Sequence, residues 1–325
     1  MKSVALTRIE EARKQKPHLL ERRIPFEVYK RQQAQISRRR LYPVTLFYTT
    51  FSVVVLVLGF RSTQPILAVS FFVEGVILWT LIEYLFHRYV LHGSFPEGRG
   101  IVHAFLHRRL DPLHWEHHAR PLDGMHTNGA IGDLIVLFMI AAPVSLLFPI
   151  YTLAPMLAGA VQSYVLEEWI HHSTHFYRFR NPYFRYIRRH HGYHHTPAGT
   201  DLGFGLTNGF WDLIFNTHYP EAVRKVLYGS GGALNPGQKR KAIYELDEQI
   251  ALRLLSATNS QALTRTEVID LTLSDAELAR SAAAFGQPDD VVSQALVRLQ
   301  QYGLIEIRND RLMVLEKDWM AAYAG

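Results

Sequence analysis

Two uninterrupted apolar runs lie in the first third of the chain. "LYPVTLFYTTFSVVVLVLGF" (41–60) carries no charge, and "PILAVSFFVEGVILWTLIEYLF" (65–86) holds only Glu74 and Glu83. Each matches the roughly 20 residues that a helix needs to cross a bilayer, whereas a buried core helix shows runs of roughly 10–14. The short "RSTQ" between them predicts a helical hairpin. A third run, 129–150, continues directly into a fourth, 151–170. Pro149 and Pro155 break this stretch into a second tight hairpin. The pattern predicts an all-α membrane protein with four transmembrane helices and a helical, His-rich cap.

After residue 240 the pattern changes. "AIYELDEQIALRLLSA" and "SDAELARSAAAFG" have helical periodicity, and "PDDVVSQALVRLQQYGLIEI" reads as a helix running into a strand. "LIEIRNDRLMVLE" alternates apolar and polar positions around Asn309-Asp310, as a hairpin does. Helices followed by a terminal hairpin resemble, in pattern only, a winged-helix α+β domain. The expected organisation is an N-terminal arm (1–42), a membrane domain (43–225), a linker (226–241) and a C-terminal domain (242–325).

Charge separates the same parts. Residues 1–240 carry 27 Lys+Arg against 16 Asp+Glu, and residues 241–325 carry 8 against 13. A C-terminal domain that is net acidic argues against nucleic-acid binding, which needs clustered Lys/Arg; a protein-contacting or regulatory role, or a plain stabilising extension, fits it better. The arm 1–40 holds twelve basic and four acidic residues. Together with the Arg-rich segments after 86 and 176 it belongs on the cytoplasmic face, while the connections near 61–64 and 150 are almost uncharged. Four spans then put both termini and the histidine-rich segments on that face. Glu74, mid-span, is costly in a membrane and marks a substrate-channel candidate or an interhelical hydrogen bond.

The chain has no cysteine, so thiolate metal sites, disulfides and a thiol nucleophile are excluded. It has 17 histidines, 15 of them between His87 and His195. They fall in four clusters: "HRYVLH" (His87, His92), "HWEHH" (His114, His117, His118), "EEWIHHSTH" (Glu167, His171, His172, His175) and "HHGYHH" (His190, His191, His194, His195). In an HxxHH repeat on a helix, positions three and four apart share a face. Neutral imidazole suits iron, zinc and copper. So many nitrogens exceed the needs of one mononuclear centre, and a dinuclear site is the economical reading. His103, His107 and His126 fit no repeat, and His18 and His218 stand outside the region.

The quoted boxes, with "EYLFHRYVLH" and "HGYHHTPAGTDLGFGLTNGFWDLIFNTHYP", resemble the integral-membrane fatty acid hydroxylase/sterol desaturase superfamily over about residues 45–220, closest in style to fatty acid 2-hydroxylases. The resemblance implies two iron ions (zinc being possible as purified) bound by His87, His92, His114, His117, His118, His171, His191, His194 and His195. It also implies O2 activation and hydroxylation, or alternatively desaturation, of an unactivated C–H position. One position departs from the pattern: Glu167 stands where the third box is expected to begin with histidine. It reads as a substituted ligand, as a carboxylate orienting an imidazole, or as a helix-end charge neutralised by arginines. Glu83, His172, His175 and Asp201 are candidates for supporting positions, and His190 reads as a bystander. The expected function is an O2-dependent hydroxylase of a hydrophobic membrane substrate. Its electrons would come from a separate donor protein, since no flavin, dinucleotide or haem motif is visible. A membrane metallohydrolase and a metal-responsive scaffold are the competing readings.

Overall fold

The computed structural model describes residues 4–15, 26–93, 100–101, 103–104, 108, 111–129, 131–228, 243–257, 263–315 and 317–324. A first helix, α1 (Val4–Gln15), is followed by α2 (Phe26–Phe60), 35 residues without a break. The basic arm and the first apolar run merge because "EVYKRQQAQISRRR" is built largely of residues that lose little freedom in a helix. α3 (Pro65–Leu85) starts on a proline, whose missing N–H costs nothing in the first turn, and continues as a π turn, Phe86–Leu91. Among the described residues, α2 and the combined 65–91 helix are long and apolar enough to cross a membrane.

The second expected hairpin is less regular. α5 (Ile131–Ser145) has only 15 residues, and α6 (Leu153–Phe176) has 24; α4 is the short helix Asp111–Ala119 that precedes them. α6 lies along both α2 and α3 and is the most enclosed of the long helices. Its approach to α3 requires two glycines. A Cβ on Gly75 would strike the Met156 carbonyl, and one on Gly159 would strike the Phe72 carbonyl. Small residues at such crossings let backbones pack closely in a membrane. Ser52 of α2 ties the third side by donating to the Ala158 carbonyl at 3.0 Å.

Beyond α6 come α7 (Pro182–His194), α8 (Phe210–Ile214) and α9 (Glu221–Tyr228). The expected linker lies, past Tyr228, outside the described residues. The C-terminal part comprises α10 (Ile243–Ala257), β1 (Leu263–Thr264), α11 (Arg265–Leu273), α12 (Ala276–Ala283), α13 (Pro288–Gln301), β2 (Ile305–Arg308), β3 (Arg311–Val314) and α14 (Lys317–Ala324). The strands form an antiparallel sheet in the order β1-β3-β2, with Ile307 opposite Leu312. Asn309 and Asp310, with φ of 49° and 60°, make the tight turn that their types favour.

The acidic C-terminal part packs on the basic α7 of the same chain. Arg188 pairs with Glu248 at 2.5 Å, and Arg185 and Arg189 share Glu245. Tyr193 meets Tyr302 edge-on, with centroids 5.0 Å apart. One apolar core runs from α1 through Trp115 and Tyr193 into α10, α13 and α14. The charge asymmetry between the two parts is therefore complementarity within one chain.

Candidate metal centre

The four clusters converge on two adjoining sets. His87, His92, His114 and His118 form the first, and His117, His171, His175, His191 and His195 the second; within each, ligand nitrogens lie within 4.8 Å of one another. His194 joins the first set, its ring centroid 4.8, 5.0 and 4.9 Å from those of His87, His92 and His118. Helix geometry explains the division. On α4, His114 and His118 are four apart and share a face, while His117 turns to the second set. On α7, His191 and His195 are four apart, and His194 turns to the first. Each HxxHH thus splits two-and-one, in opposite senses. His171 and His175 on α6 are again four apart.

The spacing of five between His87 and His92 needs a different device. In an α-helix such residues lie on diverging faces, but the π turn, closed by His92 N–H donating to the His87 carbonyl at 3.0 Å, brings both rings inward. Their centroids are 5.0 Å apart.

The residues present fit a metal cation. Nε2 of His117 lies 3.0 Å from Nε2 of His171, which lies 3.1 Å from that of His175; the contacts continue at 2.8 Å to His191 and 3.0 Å to His195. An imidazole nitrogen has one in-plane hydrogen or one lone pair. His171, His175 and His191 each face two such neighbours and cannot hydrogen-bond to both. A cation among the five lone pairs resolves the conflict. In the first set, Nε2 of His92, His114 and His194 is buried with no hydrogen-bond partner among the described residues. Burial, reinforced by neighbouring imidazoles, holds His114, His117, His118, His191, His194 and His195 well below the ordinary imidazole range. They are neutral near pH 7, the form that binds metal.

A loop after the last box orients the first set. His194 Nδ1–H donates to the Leu202 carbonyl at 2.7 Å and His87 Nδ1–H to the Phe204 carbonyl at 2.5 Å, while Thr200 Oγ1 lies 3.4 Å from His118 Nδ1. These bonds turn Nε2 of His87 and His194 inward. Two carboxylates hold the loop. Glu83 accepts from Leu206 N at 2.7 Å, Thr207 N at 2.8 Å and Thr207 Oγ1 at 2.6 Å. Asp212 accepts from Phe204 N at 2.8 Å, Gly205 N at 3.0 Å and Thr217 Oγ1 at 2.8 Å.

The other expected residues are placed as follows. Glu167 belongs to neither set; it accepts from Trp79 Nε1 at 2.6 Å and faces the adjoining cavity. His175, expected in support, occupies the fifth position of the second set. His172 points away, its Nδ1 2.7 Å from Ser37 Oγ. Asp201 is exposed while its neighbours supply the orienting oxygens. Glu74 is exposed on α3 and does not line the cavity, so the channel reading of Glu74 is not met. His190 binds Tyr228 through Nδ1 at 2.6 Å and lies 3.3 Å from Asp212, outside both sets. His126 pairs with Asp123 at 2.8 Å; His18 and His107 lie outside the described residues. Asp212, on α8, carries no site signal in the sequence, because its partners, Phe204 N, Gly205 N and Thr217 Oγ1, follow no motif.

A cavity of about 360 Å³ opens beside the histidines. His87, His114, His117, His171 and His191 form one wall, and Leu134, Phe138, Leu157, Val161 and Tyr164 line the remainder. Its size lies within the range of ordinary small-molecule pockets, and its walls are overwhelmingly apolar.

Residues 72–217 match the family model for fatty acid hydroxylase. The fatty acid 2-hydroxylase of Rattus norvegicus is 30% identical over 155 residues, 47% of this chain and 40% of that protein. The ceramide very long chain fatty acid hydroxylase of Saccharomyces cerevisiae is 32% identical over 164 residues, 49% of this chain and 40% of that protein. The chain thus spans two fifths of the length of these relatives. A solved structure of full-length scs7p, in which only the hydroxylase domain is visible, aligns with a TM-score of 0.50 at 22% identity, covering 68% of this chain and 91% of that one, which supports the fold. The matched segment holds all four histidine boxes, and it is over this segment that the chain is similar to the fatty acid hydroxylase family.

Proposed function

We propose that this chain is a membrane-embedded hydroxylase that inserts one oxygen atom of O2 into a C–H bond of a lipid acyl chain. The observation that carries this reading is that two histidine sets, five rings each, border a single apolar cavity. Two metal ions, read as iron, would be held by His87, His92, His114, His118 and His194 and by His117, His171, His175, His191 and His195. When bound they would supply O2 activation, which imidazole-ligated iron supports. The chain's own residues bind the acyl segment along Leu134, Phe138 and Val161, keep water from the reacting carbon, and fix the imidazoles through the 200–207 loop. Acyl chains are the substrate class named for the relatives, fatty acids in one and ceramides in the other.

The balance requires a donor. One oxygen atom enters the C–H bond, and the second leaves as water after taking two electrons and two protons. We read the source as a separate electron-transfer protein docking on the basic, cytoplasmic face. In this reading α5 and α6 form the second membrane hairpin of a four-helix unit, supported by the packing of α6 on α2 and α3. Both termini and the histidines then share the cytoplasmic side with Arg38, Arg39 and Arg40. The division into arm, membrane domain, linker and C-terminal domain is part of the same proposal. So is a winged-helix reading of residues 243–324, supported by the order of three helices before a hairpin.

The test is turnover of the full chain in lipid, with a reducing system and isotopically labelled O2. The product is expected to carry one labelled oxygen atom. Loss of two hydrogens without oxygen would assign desaturation instead, and turnover independent of O2 would overturn the reading.

A further inference from the structure

A second cavity, of about 580 Å³, lies where the N-terminal turns of α2 meet the end of α6 and α10. It is unlike the apolar one. Glu27, Lys30, Arg31, Ala34, Gln35 and Arg38 recur at spacings of three and four, so they form one stripe along α2. Arg178, just beyond α6, closes the opposite wall, and Leu252 of α10 contributes from the C-terminal part. Four cations thus face one carboxylate among the described lining residues.

Lys30 is buried, at 9% exposure. Its amine is pushed down to about 8, by burial first and then by the Arg178 guanidinium, with Arg188 adding and Glu27 and Glu248 opposing. The buried Lys30 amine sits beside the exposed guanidinium of Arg178, and an anion in the cavity would offset the repulsion between them. The position on α2 selects the kind of anion. Arg38 precedes the uncharged run at Leu41 by three residues, or about 4.5 Å of helix, and Lys30 by eleven, or about 16 Å. The stripe therefore starts at headgroup depth and extends into the aqueous phase.

We propose that this cavity binds a phosphate-bearing anion, joining the foot of the first membrane helix to the C-terminal part. Lys30, Arg31, Arg38 and Arg178 supply the charge-assisted donors. The headgroup of an anionic phospholipid and a soluble phosphate share this chemistry, and the experiment separates them.

The full-length chain is placed in nanodiscs of phosphatidylcholine alone, or with phosphatidic acid added, and each sample is unfolded thermally with inorganic phosphate or with chloride at matched ionic strength. Binding to the folded state raises the midpoint, here by about 2 °C or more for a chain of this size. A rise with phosphatidic acid assigns a lipid headgroup, and a rise with phosphate alone assigns a soluble ligand. Lys30→Gln and, separately, Arg31→Gln with Arg38→Gln are expected to lose the rise, while Arg39→Gln, outside the cavity, keeps it. Arg31 and Arg38 are exposed, so the second variant remains informative if the buried Lys30 change impairs folding. No rise with either probe, or a rise that persists in the Arg31/Arg38 variant, overturns the proposal.

Discussion

The 200–207 loop touches one histidine set and not the other, and this asymmetry gives a quantitative prediction. In Glu83→Gln the carboxylate that accepts from Leu206 N, Thr207 N and Thr207 Oγ1 becomes a neutral amide of the same shape. Hydrogen bonds to charged groups contribute about 1.5–3 kcal/mol and neutral ones about 0.5–1.5. Three weakened bonds, at about 1–1.5 kcal/mol each, therefore cost the loop anchor roughly 3–4.5 kcal/mol. The same loop presents the carbonyls of Leu202 and Phe204 to His194 and His87. Losing an orienting partner of this kind weakens metal binding about 10–100-fold, or about 1.4–2.8 kcal/mol, which the lost anchoring is large enough to cause. Chelator titration of the metal-loaded protein is expected to become biphasic. One metal per chain is released at lower chelator concentration, and the other is released as in the parent. Asp212→Asn is expected to act in the same direction, because Asp212 holds Phe204 N and Gly205 N. Equal weakening of both metals, or none, would refute the reasoning.

Three further outcomes follow from the packing. Arg298 bonds the fully buried Asp247 at 2.7 and 2.8 Å, so Arg298→Met strands a carboxylate and costs about 3–5 kcal/mol; denaturant unfolding followed in the C-terminal part checks this, and adding Asp247→Leu recovers much of the loss. Burial first, against the Arg298 bonds, pushes the Asp247 carboxyl up to about 6. Its contribution to stability is therefore fully present below the ordinary carboxylate value and lost as pH rises through about 6; unfolding midpoints across that window show this fall, and Asp247→Asn removes it. Gly159→Ala drives a Cβ into the Phe72 carbonyl, which as backbone cannot swing aside; a loss of about 1–3 kcal/mol is expected in thermal unfolding in detergent.

The sequence made the chemistry more legible than the placement. Apolar length located the two helices long enough to cross a membrane, and alternation located the Asn309-Asp310 hairpin, because both are local signals. It divided α2 at residue 42, since charge marks a compositional boundary but does not stop a helix. The HxxHH repeats pick out candidate ligands, yet not that each divides between two sets, which depends on where α4 and α7 stand relative to α3 and α6. His175 reads in the sequence as a supporting residue, although its spacing of four from His171 places the two on one helix face. Glu83 shows in the sequence only as a charge near the end of an apolar run. Its partners lie 123 and 124 residues away, a pairing that only the folded chain reveals.

The central claim is that ten histidines form two separate metal sites and that Glu167 belongs to neither. Metal content of the purified full-length chain, after loading and removal of excess, tests it most directly. About two metal ions per chain are expected in the parent and in Glu167→Gln, and about one in His175→Ala with His191→Ala. A Glu167→Gln chain that loses a metal, or a His175/His191 variant that retains both, would contradict it.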